Sequence, residues 1–329
     1  MVKYFAKATL LLLMSLLLLG SSCGRGPSQH QPLRIALNIW PGYGAFFIAK
    51  DKGFYKDEGV DVDIQIIQGD PEREAALVSG KIDGIGMTID NLILLRDKGV
   101  PVKAIYKYDG SNGADGIVAK KEITSAEQLK GRTVGWAPGT TSHYFLTQVL
   151  KDVGLTTRDL NHAAMSSDDA GAAFAAGKLD AAVTWEPWLS KAKENANGHI
   201  LISTREKPVI EDVLFMREEV LNGRKDDVEK FLRACFKAID YWKANPDEGN
   251  NIIARNLNLP IGDVQSMLSG IKVMDYGDNR AFFGTSSAPG PVGQAYKNAV
   301  DAWLQEGLIK KPSKPEDGID GTFVSSLRR

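Results

Sequence analysis

The stretch Gly139-Thr140-Thr141-Ser142 lies between an apolar run, Arg132–Trp136, and apolar residues at helical spacing, Tyr144, Phe145 and Val149. A hydroxyl-rich turn between strand and helix gathers unpaired backbone N–H groups, side-chain hydroxyls and the positive end of a helix dipole at one point. Such a point suits an anion or a polar head group, although an ordinary N-cap has the same composition. Trp40, Tyr43, Trp185 and Trp188 all fall at strand ends or in the turns just beyond them. Ligands gather there in open α/β sheets, and aromatic faces can sandwich a planar or cationic group. Glu186 stands between two tryptophans and before Pro187, where a freely solvated carboxylate has little reason to be. Asp90 serves equally as the cap of a helix over Asn91–Lys98 or as a ligand contact. Asp109, in a Gly/Ser/Asn/Asp stretch, reads as a loop residue, while Trp242 and Trp303 fall within helices and read as core.

Other chemistries are absent from the sequence. Four scattered histidines show no Cys/His spacing, so no metal site is expected, and neither a P-loop nor a Gly-x-Ser-x-Gly elbow occurs. No catalytic residue and no cofactor is assigned. A net charge of -1 without a basic run excludes nucleic acid as an expected partner.

The elements that must position these residues alternate. Leu33–Asn38, Val60–Ile67, Asp83–Met87 and Val102–Tyr106 read as strands separated by short helices, and a second series follows from Gly116 through Met216. That cadence predicts parallel sheets covered on both faces, an α/β fold. Ser79-Gly80-Lys81-Ile82-Asp83-Gly84 is nearly repeated as Ala176-Gly177-Lys178-Leu179-Asp180-Ala181. Each predicts a helix stopped at a left-handed Gly and followed by a strand, once in each of two similar lobes. Lobe 1 is expected over residues 33–115 and 212–329, its C-terminal third helical, and lobe 2 over 116–211. The connections near Asp109–Gly116 and Ile202–Asp212 would be the hinge.

At the N-terminus, Lys3 and Lys7 precede the apolar run Ala8–Leu19 and then Gly20-Ser21-Ser22-Cys23. This predicts a secretory signal over residues 1–22, too short in its apolar part for a transmembrane helix. The segment resembles a bacterial lipoprotein signal, which implies a lipid on Cys23; such signals favour Leu where this chain has Gly20. Cleavage without a lipid is the alternative. Gly24–Pro32 would be a flexible tether, and Cys235, inside a periodic helix, a small core residue.

Taken in order, Gly42–Asp63, Ser79–Met87, Lys130–Leu146, Ala176–Trp188 and Asn279–Gly284 resemble the solute receptors of bacterial ABC importers. The group is that of nitrate, alkanesulfonate, taurine and thiamine-pyrimidine-precursor receptors. The resemblance implies a periplasmic-binding-protein-like fold, two α/β lobes with a ligand cleft between them, outside the cytoplasmic membrane. Its partners would be a small-molecule ligand and the importer's permease and ATPase, with a monomer expected. Taurine receptors compare best. Their Thr-Thr-His-Tyr run resembles Thr140-Thr141-Ser142-His143-Tyr144 with one residue added, and their Trp-Ala-Pro segment resembles Trp185-Glu186-Pro187. The Asp that pairs with the ligand's amine there resembles Asp212. Glu186 and Asp90 are acidic departures from that pattern.

Two or three carboxylates around one cleft, with Trp40, Trp185 and Trp188 nearby, favour a guanidine-like or amine cation over a bare anion. Taurine or an alkanesulfonate is the alternative ligand. A sensor role beside a signalling kinase is a further alternative, and an enzyme of the thiamine-pyrimidine type is another. That enzyme resemblance implies a Cys-rich motif, which this chain lacks.

Overall fold

The computed structural model describes residues 31–194, 197–285 and 290–327. The signal, the tether up to residue 30 and Cys23 lie outside them. Eleven strands are described: β1 Leu33–Leu37, β2 Val62–Ile66, β3 Gly84–Thr88, β4 Val102–Ser111, β5 Asp115–Lys120, β6 Thr133–Trp136, β7 Asn161–Ala164, β8 Ala181–Trp185, β9 Gly198–Ser203, β10 Glu211–Arg217 and β11 Ile271–Val273. They form a six-stranded sheet ordered β11-β4-β10-β3-β1-β2 and a five-stranded sheet ordered β7-β6-β8-β5-β9. The folded body has the two α/β sheets expected from the alternation of elements.

The repeated Gly-Lys-apolar-Asp segment does the same work in each sheet. Gly80 and Gly177 close their helices at φ of 71° and 74°, a conformation that Gly adopts without steric cost. Asp83 then accepts the backbone N–H of Arg34 at 2.9 Å, and Asp180 accepts that of Thr133 at 3.0 Å. Each carboxylate thereby ties the start of a neighbouring parallel strand, β1 to β3 and β6 to β8. The two strands that follow end at Thr88 and Trp185, and both residues face the interior described below.

The sheets are mixed rather than purely parallel. The chain leaves the first sheet after Ser111, enters the second at Asp115, and returns between Ser203 and Glu211. The returning strand β10 therefore runs against both β3 and β4, and β5 runs against β8 and β9. Asp109, expected in a loop, instead lies on β4, held between β10 and β11. Those pairings are long-range, so the local Gly/Asn/Asp composition gave no sign of them.

Helices cover both faces of each sheet. Phe46, Phe231, Cys235 and Ile253, from helices Gly44–Asp51, Lys225–Ala244 and Pro246–Leu257, form one core on the larger sheet. Leu92, Ile93, Tyr296 and Trp303, from helices Ile89–Asp97 and Val292–Glu306, form the other. On the smaller sheet, Phe145, Leu146 and Val149 of helix Thr141–Asp152 cover one face, and Phe174 and Leu189 the other. Helix Val292–Glu306 also reaches the smaller sheet's side. Glu306 accepts Thr157 Oγ1 at 2.6 Å and lies 3.4 Å from His143 Nε2.

Candidate functional site

Between the two sheets lies a cavity of about 40 Å³, room for roughly three water-sized groups. Its wall is assembled from strand ends and the turns that follow them. From β1 come Asn38, Trp40 and Tyr43; from β3 and its helix come Thr88 and Asn91; β10 gives Asp212. The second sheet contributes Asp115, Thr141 and Trp185.

The first-sheet side is held rigidly. The Tyr43 hydroxyl lies 2.8 Å from Asn38 Oδ1 and 2.9 Å from Gly86 O. A Cβ at Gly86 would lie 2.4 Å from the Tyr43 ring, so only Gly lets that ring in. Thr88 donates to Asn91 Oδ1 at 2.6 Å and meets Thr141 Oγ1 at 2.8 Å, a hydrogen bond that joins the two sheets' edges. Trp40 and Trp185, one from each side, stack with centroids 6.0 Å apart at 22°. Trp185 Nε1 also donates to Asp168 at 2.7 Å.

Acidic groups dominate the chemistry. Asp109 and Asp212 are register partners on β4 and β10, and their carboxyls lie within hydrogen-bonding reach of each other. Trp40 Nε1 donates to Asp109 Oδ2 at 2.8 Å, beside Gly42, whose absent Cβ would lie 1.4 Å from that oxygen. Asp109 Oδ1 and Asp212 Oδ2 are buried and receive no hydrogen bond from the described residues. Burial pushes Asp109 up to about 6 and Asp212 well above the ordinary aspartate value, the Asp109 charge adding to the latter. Burial likewise lifts Asp115 to about 7 against a hydrogen bond from Ser111.

One cation faces these acids in the cavity wall. Arg73 is 2% exposed and lines the cavity. Its Nη1 donates to Ile67 O and Gln68 O, each at 2.8 Å, and its Nη2 binds Asp70, also in the wall. Lys107, nearby on β4, is paired with Glu211.

Of the residues singled out in the sequence, Trp40, Tyr43, Thr141, Trp185 and Asp212 line this cavity. The others do not. Gly139, at φ 70°, donates its N–H to His143 Nδ1; Thr140 Oγ1 binds Ala137 O; Ser142 Oγ pairs with Ser167 Oγ. Asp90 sits in the first turn of a helix whose N-cap is Thr88, and its backbone oxygen accepts Trp303 Nε1 at 2.9 Å. Its carboxyl is buried and pushed up to about 7, with Oδ2 lacking a partner among the described residues. Glu186 and Trp188 line an outer hollow of about 270 Å³ with Ile39, Leu259 and Met267, on the far side of the Trp40–Trp185 stack. There Glu186 accepts Ser190 N and Oγ at 3.1 and 2.9 Å, capping its helix, and Lys191 covers the Trp188 ring at 4.2 Å.

Sequence reasoning missed Arg73 and Asp115, and it weighed Asp109 as a charged candidate but read it as a loop residue. The segment Asp70-Pro71-Glu72-Arg73, an acid and a base one helical turn apart, is the available signal for the arginine. The other two acquire their place only through strand pairing, Asp109 opposite Asp212 and Asp115 opposite Trp185. Among the described residues, no group of three or more His, Cys, Asp or Glu is placed to hold a metal ion.

Two sheets enclosing a small polar cavity between their facing strand ends have the architecture of the periplasmic-binding-protein fold. The chain belongs to the NMT1/THI5-like family, whose sequence profile matches residues 40–249. It is 24% identical over 328 residues to a putative aliphatic sulfonates-binding protein of Bacillus subtilis, covering 97% of this chain and 96% of that one. It is 23% identical over 270 residues to the taurine-binding periplasmic protein of Escherichia coli, covering 79% and 82%. In structure it is similar to the periplasmic aliphatic sulphonate binding protein SsuA of Escherichia coli, with a TM-score of 0.72 at 18% identity over 90% of this chain and 99% of that one. The same fold carries an enzyme too: the desulfurization enzyme DSZB superimposes with a TM-score of 0.62 at 15% identity, over 90% of this chain and 98% of that one. No described helix is long and apolar enough to cross a membrane.

Proposed function

We propose that this chain is the solute receptor of an ABC importer and that its ligand is a small cation rich in N–H donors, of the guanidinium or simple amine type. The receptor reading is supported by the family, by relatives named as binding proteins, and by a cavity enclosed between two sheets. The ligand class rests on one observation. Asp115 and Asp212 are buried in the wall of a small cavity, with Asp109 buried beside Asp212, and the one cation among the described wall residues, Arg73, is already engaged by Ile67, Gln68 and Asp70. Buried like charges repel and resist desolvation, and a planar N–H cation offsets both costs while supplying the donors those oxygens lack. The cavity's size favours a solute of few non-hydrogen atoms. The Trp40–Trp185 pair closes over it and offers an aromatic face.

Taurine is the second reading, favoured by the names of the relatives. Its amine would meet Asp212, and its sulfonate Thr141 and Arg73. A melting-temperature screen separates the two. Millimolar guanidinium, methylammonium, taurine, ethanesulfonate and nitrate are compared on wild type, Asp212→Asn and Glu186→Gln. The cation reading expects a shift with guanidinium or methylammonium that Asp212→Asn abolishes and Glu186→Gln keeps. A shift with taurine or ethanesulfonate alone refutes it.

A further inference from the structure

We infer that the site takes up its cation in exchange for a proton shared by Asp109 and Asp212. The inference deepens the cation reading above and rests on it.

The geometry sets two buried carboxyls against each other with no other donor among the described residues for their free oxygens. The two carboxyls meet across β4 and β10. Asp109 Oδ2 takes the Trp40 N–H, but Asp109 Oδ1 and Asp212 Oδ2 are buried without a partner from the described residues. Two ionised carboxylates at hydrogen-bonding distance, with their facing oxygens buried, are mutually unfavourable, so one proton held between them is the state of lowest energy. Burial raises both groups, consistent with a proton retained near neutral pH.

The surrounding charges do not remove the need for it. On β4 and β10 themselves, Lys107 pairs with Glu211; Lys107 favours the charged form of both aspartates and Glu211 opposes it at Asp109, but burial outweighs both. From β5, Asp115 adds negative charge and raises Asp212 further. The helix Asp70–Val78 presents Arg73 paired with Asp70. Tyr43 and Tyr108, which also feel the pair, are buried phenols and stay neutral. Beyond these, Glu186 acts on Asp115, and Asp115 on Asp90, one step away from the pair. A cation entering the cavity supplies the positive charge that the proton had supplied, and its N–H donors replace the one hydrogen bond that the proton had made. The proton then leaves to solvent, and charge balances: one positive charge in, one out.

Calorimetric titration of the wild-type chain with guanidinium chloride, at one pH in phosphate and in Tris, tests this directly. The two buffers differ in ionisation enthalpy, so the observed heats should differ by the amount corresponding to about one proton released per cation bound. Affinity should also weaken about tenfold for each pH unit below the pair's titration, the slope for one exchanged proton. Asp109→Asn, whose amide oxygen still accepts from Trp40, should bind with no buffer dependence. Binding with equal heats in the two buffers overturns the exchange and leaves the cation reading standing. Buffer dependence retained in both Asp109→Asn and Asp212→Asn overturns the assignment to this pair. Absence of guanidinium binding overturns the cation reading and the exchange together.

Discussion

Replacing Asp115 by Asn should stabilise the ligand-free protein at pH 8 and leave its stability unchanged at pH 4. Asp115 is buried at the start of β5, opposite Trp185, and burial raises it from 3.8 to about 7. Its folded form therefore holds a proton that the unfolded chain releases between those values. Stability falls as pH rises through that window and levels off above about 7, where the native carboxyl must ionise. Three pKa units correspond to ~4 kcal/mol, an upper bound because the native site relaxes around the charge. An amide keeps the shape and never ionises, so the variant should gain up to this amount at pH 8, a sizeable share of the 5–15 kcal/mol typical of whole domains. Urea denaturation of both proteins at pH 4, 6 and 8 reads the difference directly. The gain should grow with pH while the response to guanidinium weakens, a trade of binding for stability. A variant that is destabilised equally at all three values refutes the reasoning.

Three other outcomes follow from particular contacts. Gly42→Ala places a methyl 1.4 Å from Asp109 Oδ2, so it should displace that carboxyl from Trp40, destabilise by about 1–3 kcal/mol and abolish guanidinium binding in the melting assay. Burial alone would raise Glu306, but the His143 imidazole 3.4 Å away and the hydrogen bond from Thr157 outweigh it and hold the group below its ordinary value. The stability it contributes is present above about 4.5 and lost as pH falls through the depressed value. Glu306→Ala should therefore cost about 1–3 kcal/mol at pH 7 and less at pH 3, read by urea denaturation. The two crossing segments are joined at Ser111–Thr204 (2.7 Å), and the sheet edges at Thr88–Thr141. If they form a hinge, scattering should give a smaller radius of gyration with saturating ligand, and identical curves would count against it.

The architecture could be read from local patterns because its punctuation is local. Gly80 and Gly177 end helices through a backbone property of glycine itself, and β2 alternates within five residues. The same local reading could not give strand direction, since β10 reverses only because the chain arrives from the other sheet. The site was partly legible. Trp40, Trp185 and Asp212 were found through strand ends and family position. Glu186 reads as ligand-facing from its tryptophan neighbours, yet its two hydrogen bonds from Ser190 hold it in the outer hollow. Asp109 and Asp115 were passed over because Asp-Gly-Ser-Asn-Gly-Ala-Asp has the composition of a turn. Their chemistry depends on which strand lies opposite, and composition does not record that.

The Trp40–Trp185 stack gives the protein a built-in optical gauge. Two indoles at 6.0 Å and 22° are close enough for their electronic transitions to couple, producing a paired circular-dichroism band that a lone indole cannot give. One ring belongs to each sheet, so the band's amplitude tracks the distance between them without any attached dye. Removing either ring, as in Trp185→Phe, should erase the band and identify it among the contributions of the other tryptophans.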